Sequence, residues 1–191
     1  MCTALACAPS AFAAKKVKAK EATAAAVQAR DAALSQRTGG SAFNLPPDHP
    51  TVAGTQAKLV DGVAYAPADA PAQVQAAIWA GNEIQGLPYR YGGGHASFND
   101  TAYDCSGTVS YALHGGGLVK SPLDSSDFMK WGKSGPGQWI TVYTNPGHVY
   151  TVIAGLRLDT SSVNDSGGSG PLWRKAQRPS AGFRVRHFEG L

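Results

Sequence analysis

The sequence predicts an α+β fold in which helices come first and antiparallel strands follow. Early in the folded region the apolar residues Val74, Ala77, Ile78 and Ile84 recur at helical spacing. Later the pattern changes to short runs of β-branched and aromatic residues separated by turn sequences. Helices followed by a group of strands are typical of α+β domains, so we expect N-terminal helices packed on a central antiparallel β-sheet.

Two longer helices are predicted in the first half of this region. The first begins after Asp69, a residue type that caps helix N-termini, and Pro71 suits its first turn. It ends at Gly86. The second helix follows Asp104 and ends at the three glycines 115–117.

The remaining elements are a short helical turn and a series of strands. The turn sequences Asn145-Pro146-Gly147 and Ala154-Gly155 separate three consecutive strands. We predict the helical turn at 125–131 and the strands at 139–144, 148–153, 156–160 and 183–188.

The chain divides into four predicted segments. These are a signal peptide remnant at 1–13, an Ala/Lys-rich helix at 14–37, a Pro/Gly-containing linker at 38–68 and a folded domain at 69–191. The first segment ends in Ala11-Phe12-Ala13, an A-x-A pattern that signal peptidase cuts. We therefore expect secretion to the periplasm or cell envelope, with 14–37 as a candidate envelope tether.

The net charge of +4 does not indicate a nucleic-acid partner. Four of the 17 basic residues, Lys15, Lys16, Lys18 and Lys20, lie in one short segment. Without them, the 13 acidic residues are matched by as many basic ones, so the folded region is close to neutral. No later stretch reaches the ~18 apolar residues of a membrane span. We expect a monomer.

Cysteine usage singles out Cys105. Cys2 and Cys7 fall in the predicted leader, where Cys7 is also a weak candidate for lipid modification. A lone thiol in an exported chain cannot form an internal disulfide and is a candidate reactive group. Asp104 caps the helix and places Cys105 in its first turn, where the helix dipole favours the thiolate.

A candidate base and a candidate partner for it lie on consecutive strands. His148 opens the strand after the Pro146-Gly147 turn and can take the thiol proton. If Ala154-Gly155 is a two-residue hairpin turn, Asp159 is a diagonal neighbour of His148 on the same face. A turn one residue longer or shorter would place Asp159 on the opposite face.

Three short motifs resemble the NlpC family of papain-like cell-wall cysteine peptidases. They are Pro88-Tyr89-Arg90-Tyr91-Gly92-Gly93, Asp104-Cys105-Ser106-Gly107 and Gly147-His148-Val149. The resemblance spans about residues 70–160 and implies a papain-like fold with the nucleophile at a helix N-terminus. It implies that Cys105 is the nucleophile, that His148 is the base and that Tyr89 contributes near the oxyanion.

The resemblance also implies a third polar residue that orients the base. Asp159 is the expected residue, although family members more often have His, Asn or Gln, one position further from the base. Thr160 has that spacing but is a poorer orienting group. We further expect Asp104, Ser106 and Gly107 to contribute to substrate binding, since small side chains leave room for a carbonyl, and His95 to line the groove.

The resulting functional hypothesis is a secreted cysteine endopeptidase that cuts peptidoglycan stem peptides at a D-glutamyl-diaminopimelate type of bond. The bond type comes from the resemblance. No cofactor is expected, and the histidines and cysteines lack zinc-site spacing. Two alternatives remain open: an amidase or acyl or peptidyl transferase with the same site, and a catalytically silent wall-associated module.

Overall fold

The computed structural model describes His49 and residues 51–191. The predicted leader at 1–13, with Cys2 and Cys7, and the predicted helix at 14–37 lie outside the described residues. In the described part, the chain contains three α-helices and nine β-strands. In chain order these are β1 (Thr51–Val52), β2 (Lys58–Val60), β3 (Val63–Pro67), α1 (Ala72–Ile84), α2 (Cys105–Gly115), α3 (Ser125–Phe128), β4 (Lys133–Ser134), β5 (Ile140–Asn145), β6 (His148–Ile153), β7 (Leu156–Asp159), β8 (Leu172–Arg174) and β9 (Arg184–His187).

A six-stranded antiparallel sheet forms the centre of the fold, in the order β4-β9-β5-β6-β7-β8. The hairpin of β5 and β6 closes at the pair Asn145 and His148. The next hairpin joins β6 to β7 through Ala154 and Gly155, whose φ angles of 46° and 91° suit a tight two-residue turn. These strands confirm the predicted antiparallel sheet and the α+β class.

The helices α1 and α2 pack on each other and against this sheet. Apolar side chains of these helices and of β6 and β7 are fully buried, including Ile78, Leu113, Val149, Ile153 and Leu158. Each such side chain contributes about 1.5–3 kcal/mol when removed from water. The core therefore fixes the start of α2 relative to the strands β6 and β7.

Residues 51–67, which lie within the predicted linker, form a small three-stranded sheet. β3 pairs with β1 in parallel and with β2 antiparallel. Ala64 and Ala66 are fully buried, and the Asn82 side chain of α1 binds both the N–H and the C=O of Ala64, at 3.0 and 2.8 Å. The strands are short and their buried residues are mostly alanines, so strand patterning gives little signal here.

The ends of the helices agree with the predictions in part. The Asp104 cap of α2 is confirmed, since its side chain accepts a hydrogen bond from the N–H of Gly107. The Asp69 cap of α1 is wrong: the N-cap is Pro71, and no side chain caps it. Asp69 lies two residues too early for that position. The helical turn predicted at 125–131 is a shorter helix, α3, with a capping box built on Asp124.

The predicted strands in the second half correspond to β5, β6, β7 and β9, with ends that differ by at most one residue. Two strands of this half, β4 and β8, were not predicted, and neither were β1, β2 and β3 in the predicted linker. β8 has three residues next to a Gly/Ser-rich loop, and it is defined by pairing with β7 rather than by its own sequence pattern. None of the described helices combines the length and the apolar character needed to cross a bilayer.

Candidate active site

Cys105 is the first residue of α2 and the one free cysteine among the described residues. Its side chain is only partly buried and packs against the edge of the core, so one side of the thiol remains accessible. The N–H groups of a first helical turn have no partner within the helix, and they carry the positive end of the helix dipole. The side chain of Cys105 therefore lies at the positive end of the dipole of α2.

Asp104 ties the start of α2 to the preceding loop. Its Oδ1 accepts hydrogen bonds from Gly107 N at 2.8 Å and from Ser106 Oγ at 3.1 Å, and its Oδ2 accepts one from Gly92 N at 2.9 Å. The Nε2 of His95 lies 3.0 Å from both Asp104 Oδ1 and Ser106 Oγ. The carboxylate therefore anchors the loop before Cys105, in addition to capping the helix.

These contacts give Asp104, Ser106 and Gly107 a structural role, while their contribution to substrate binding stays a prediction. Asp104 and Ser106 are buried, and their side-chain oxygens are hydrogen-bonded within the protein. A Cβ at Gly107 would lie 2.1 Å from the carbonyl oxygen of Gly93, so a glycine at this position permits the two backbones to approach. The three residues hold the loop and the helix together. His95 is partly exposed.

His148 is held rigidly at the beginning of β6. Its backbone N–H donates to Asn145 Oδ1 at 2.9 Å, across the turn between β5 and β6. Its imidazole Nε2 lies 2.9 Å from Asp159 Oδ1 on β7. Because Nε2 is engaged by the carboxylate, Nδ1 is the nitrogen left for the thiol of Cys105.

The register between β6 and β7 places Asp159 on the same face as His148. Thr151 pairs with Leu158, and the ladder continues through Ile153 and Leu156. This confirms the predicted two-residue turn, and with it the diagonal placement of Asp159 and His148. The group that contacts the imidazole is the Asp159 carboxylate and not Thr160, the alternative considered from the family spacing.

Asp159 is fully buried and strongly hydrogen-bonded. Its Oδ1 also accepts a hydrogen bond from Ser161 N at 2.9 Å, and its Oδ2 accepts one from Arg178 at 2.9 Å. Burial alone would raise the pKa of Asp159, but the hydrogen bond and the charge of His148, together with the Ser161 and Arg178 bonds, lower it. The carboxylate therefore stays ionised and can orient the imidazole.

The protonated form of His148 is stabilised in this site. Burial by itself lowers the pKa of His148, but hydrogen bonds to Asp159 and Cys105 and the charges of both groups raise it to about 9. A protonated imidazole beside a thiol favours the thiolate, which is the nucleophilic form. The three side chains can therefore hold a thiolate–imidazolium pair.

Tyr89 lies next to the segment that carries Cys105. It forms an isolated parallel bridge with Tyr103, two residues before Cys105, and its side chain is 45% exposed. Burial raises the pKa of Tyr89, and the nearby negative charges of Cys105 and Asp104 raise it further. The phenol therefore stays protonated and can donate a hydrogen bond.

The sequence analysis did not identify the arginines around Asp159. Arg157, on β7, is fully buried with its Nε 3.5 Å from Asp159 Oδ2, and Arg178 comes from the loop between β8 and β9. Arg157 could have been identified from the sequence, because an arginine at a buried strand position is almost always paired with an acidic group. No sequence signal marks Arg178, which meets Asp159 only through the fold.

The described residues contain no cluster of three or more His, Cys, Asp or Glu side chains that could hold a metal ion. The arrangement consists of a thiol at a helix start, an imidazole that contacts it and a buried carboxylate that binds the imidazole. This is the set of groups used for covalent catalysis by a thiol.

Comparison with known proteins gave similarities to solved structures only; no family model and no curated protein matches. One similar structure is RipD from Mycobacterium tuberculosis, described as a non-catalytic NlpC/p60 domain protein adapted to peptidoglycan binding (20% identity, TM-score 0.44, 60% of this chain and 96% of RipD). Another is the peptidoglycan hydrolase RipB from the same organism (22% identity, TM-score 0.48, 87% of this chain and 84% of RipB). The likeness to an NlpC/p60 domain protein is one of fold.

Proposed function

We propose that this chain is a cysteine hydrolase in which Cys105 is the nucleophile, His148 the general base and acid, and Asp159 the group that orients His148. The observation that carries the proposal is the position of the imidazole. Its Nε2 is bound to Asp159 Oδ1 at 2.9 Å, and the same ring hydrogen-bonds with Cys105. A buried carboxylate that fixes an imidazole beside a nucleophile is the arrangement that general-base activation requires.

In the first half of the reaction, the Cys105 thiolate attacks the carbonyl carbon of a peptide bond. A C–S bond forms, and the carbonyl π electrons move to the oxygen. That oxyanion is stabilised by N–H groups at the start of α2 and by the Tyr89 hydroxyl. Protonated His148 then donates its proton to the leaving nitrogen as the C–N bond breaks, which leaves a thioester on Cys105.

In the second half, neutral His148 takes a proton from a water molecule. The water oxygen attacks the thioester carbonyl, the C–S bond breaks, and the acid product leaves. The electron pair returns to the sulfur and the proton remains on His148, so the thiolate–imidazolium pair is restored. Asp159 stays ionised and holds the ring in one orientation throughout.

For the substrate we propose peptide bonds in peptidoglycan stem peptides, of the D-glutamyl-diaminopimelate type. The support is the resemblance of three motifs to NlpC peptidases: Pro88–Gly93, Asp104–Gly107 and Gly147–Val149. We propose accordingly that the protein is exported and acts in the cell envelope. In this view residues 1–13 are a leader and residues 14–37 a tether.

The test is mass spectrometry of purified muropeptides incubated with the protein and with its Cys105→Ala variant. We expect new stem-peptide fragments with the intact protein only, and their masses identify the bond that is cut. Addition of an amine acceptor separates hydrolysis from transfer, because transfer adds the acceptor mass to the fragment. If no fragments form and Cys105 does not react with iodoacetamide at neutral pH, the hydrolase proposal is wrong. Co-sedimentation with insoluble peptidoglycan would then test the silent wall-associated module.

A further inference from the structure

Arg178 lies behind the proposed catalytic site, in the loop between β8 and β9. Its side chain is only 13% exposed, and its guanidinium donates to Asp159 Oδ2 at 2.9 Å. The guanidinium carbon also lies 5.0 Å from the ring centre of Tyr150 and 5.2 Å from that of Phe183. Contacts of this kind with two aromatic rings hold an arginine in one place.

The two oxygens of Asp159 have different partners. Oδ1 accepts hydrogen bonds from His148 Nε2 and from the Ser161 N–H, each at 2.9 Å. Oδ2 is bound by Arg178, with Arg157 Nε at 3.5 Å. A carboxylate held at Oδ2 cannot rotate without losing a charge-assisted hydrogen bond. The bond on the far side therefore keeps Oδ1 directed at the imidazole.

The other two arginines of this cluster are bound mainly to Asp165. The Nη2 of Arg157 donates to Asp165 Oδ2 at 2.6 Å and to the backbone carbonyl oxygen of Val163 at 2.9 Å. Arg174 also binds the Asp165 carboxylate, and its Nε donates to the backbone oxygen of Asp159. Arg178 thus makes the shortest arginine contact with the Asp159 carboxylate.

The aromatic residues around Arg178 also border the base. The ring centre of Phe183 lies 6.3 Å from that of His148, edge to face, and 5.3 Å from that of Tyr150. The loop between β8 and β9 therefore contacts both the carboxylate and the imidazole. Arg178 is thus linked to His148 through the Asp159 carboxylate and through the Phe183 ring.

We infer that Arg178 is a positioning residue of the site: by binding Asp159 Oδ2, it directs Oδ1 to His148 Nε2 and so fixes the imidazole beside Cys105. This inference rests on the proposed function. It adds a fifth side chain to Cys105, His148, Asp159 and Tyr89, and this side chain lies outside the three sequence motifs.

The kinetic test compares Arg178→Met with Arg178→Lys and with the control Arg184→Met. Arg184 is an exposed residue at the start of β9, directly after Phe183, and is not among the partners of Asp159, so its replacement makes the same chemical change nearby without removing a bond to that carboxylate. For Arg178→Met we expect kcat to fall about 10–100-fold, with KM little changed. This is the range seen when a group that orients a metal-ligating histidine or carboxylate is removed. Arg178→Lys keeps a cation and a donor and should lose less. Arg184→Met should match the unmodified protein.

The second readout does not need hydrolysis. The Nε2–H proton of His148, bound to a buried carboxylate, should give a low-field NMR signal in the unmodified protein and in Arg184→Met. We expect the signal to be lost in Arg178→Met and to persist in Arg178→Lys. If the unmodified protein cuts no muropeptide, the proposed function fails, but this signal still decides the role of Arg178.

A purely structural role for Arg178 would give a different result. Arg178→Met would then lower the melting temperature while kcat per reactive thiol and the His148 signal stayed unchanged, and that result would overturn the inference. If Arg178→Met does not fold, Arg178→Gln decides, because it keeps a polar side chain but removes the charge and shortens the reach to Asp159 Oδ2. A kcat for Arg178→Gln equal to that of the unmodified protein would overturn the inference, and a severalfold loss of kcat with KM unchanged would support it.

Discussion

Gly107 in the first turn of α2 lies so close to Gly93 that a Cβ at Gly107 would be 2.1 Å from the carbonyl oxygen of Gly93. The two segments are also joined by a hydrogen bond from the Asp104 N–H to the same oxygen, at 3.2 Å. This backbone contact sets the distance between the loop that carries Tyr89 and the helix that begins at Cys105.

The first prediction is that Gly107→Ala destabilises the protein. The added methyl group meets backbone, which cannot rotate away, so we expect a loss of about 1–3 kcal/mol in the free energy of unfolding. Urea unfolding followed by circular dichroism measures it.

Gly168→Ala is the matched control for this prediction. A Cβ at Gly168 meets no atom within 4 Å, and its backbone is not left-handed. We expect a change of less than about 0.5 kcal/mol there. Equal unfolding free energies for the two variants would contradict the close contact between Gly93 and Gly107.

The parts of the site that could be predicted from sequence are those set by local structure. A helix cap fixes Asp104 and Cys105 together, and a two-residue hairpin turn fixes the relation of His148 to Asp159. Both depend on residues close in sequence, so the pattern of caps and turns was sufficient.

The parts that could not be predicted depend on packing between distant segments. The close contact of Gly107 with Gly93 could not be predicted, because nothing in the sequence shows that these two backbone segments meet. Arg178 is 19 residues from Asp159 and lies outside any regular element, so neither periodicity nor spacing relates the two. The strands at 51–67 were not recognised because their buried residues are mostly alanines, which do not produce a clear alternation of apolar and polar residues.

The second prediction concerns the charge of Asp159. Asp159→Asn keeps the shape of the side chain but cannot balance a protonated imidazole, and its amide can present N–H groups to the ring. We expect kcat for muropeptide hydrolysis to fall by about 10²–10⁴-fold, as for an orienting carboxylate in other nucleophile–base sites.

Asp165→Asn is the control for that experiment. It removes a negative charge from the same arginine cluster, because Asp165 binds Arg157 and Arg174, but it leaves the Asp159–His148 contact in place. We expect lower stability with kcat per folded molecule largely retained. A similar loss of kcat in both variants would show that general disruption of the cluster, and not orientation of His148, explains the result.

The third prediction is a dependence of stability on pH that comes from His148. The pKa of His148 is raised from 6.5 to about 9 in the folded state, since the bonds and charges of Asp159 and Cys105 outweigh burial. The resulting stabilisation is fully present below about pH 6.5 and is lost as the pH rises through about 9. The difference corresponds to about 3 kcal/mol, as an order of magnitude.

Urea unfolding at about pH 6 and about pH 10 tests this for the unmodified protein and for His148→Gln. We expect the unmodified protein to lose more stability between the two pH values than the variant does. Parallel losses in both proteins would mean that other groups, and not His148, cause the pH dependence.

The fourth prediction concerns the Tyr89 hydroxyl. The pKa of Tyr89 is raised by burial and by the charges of Cys105 and Asp104, so the phenol remains a donor at neutral pH. If that donor stabilises the oxyanion, Tyr89→Phe should lower kcat by about 10²–10³-fold, the usual effect of removing one such group. The rate of Cys105 alkylation by iodoacetamide should stay nearly unchanged, because no carbonyl oxyanion forms in that reaction.

Tyr91→Phe is the matched control, since Tyr91 is 91% exposed and its hydroxyl is not required by the proposed mechanism. Loss of alkylation in Tyr89→Phe would instead assign the hydroxyl to the state of the thiol, and full activity would remove Tyr89 from the mechanism.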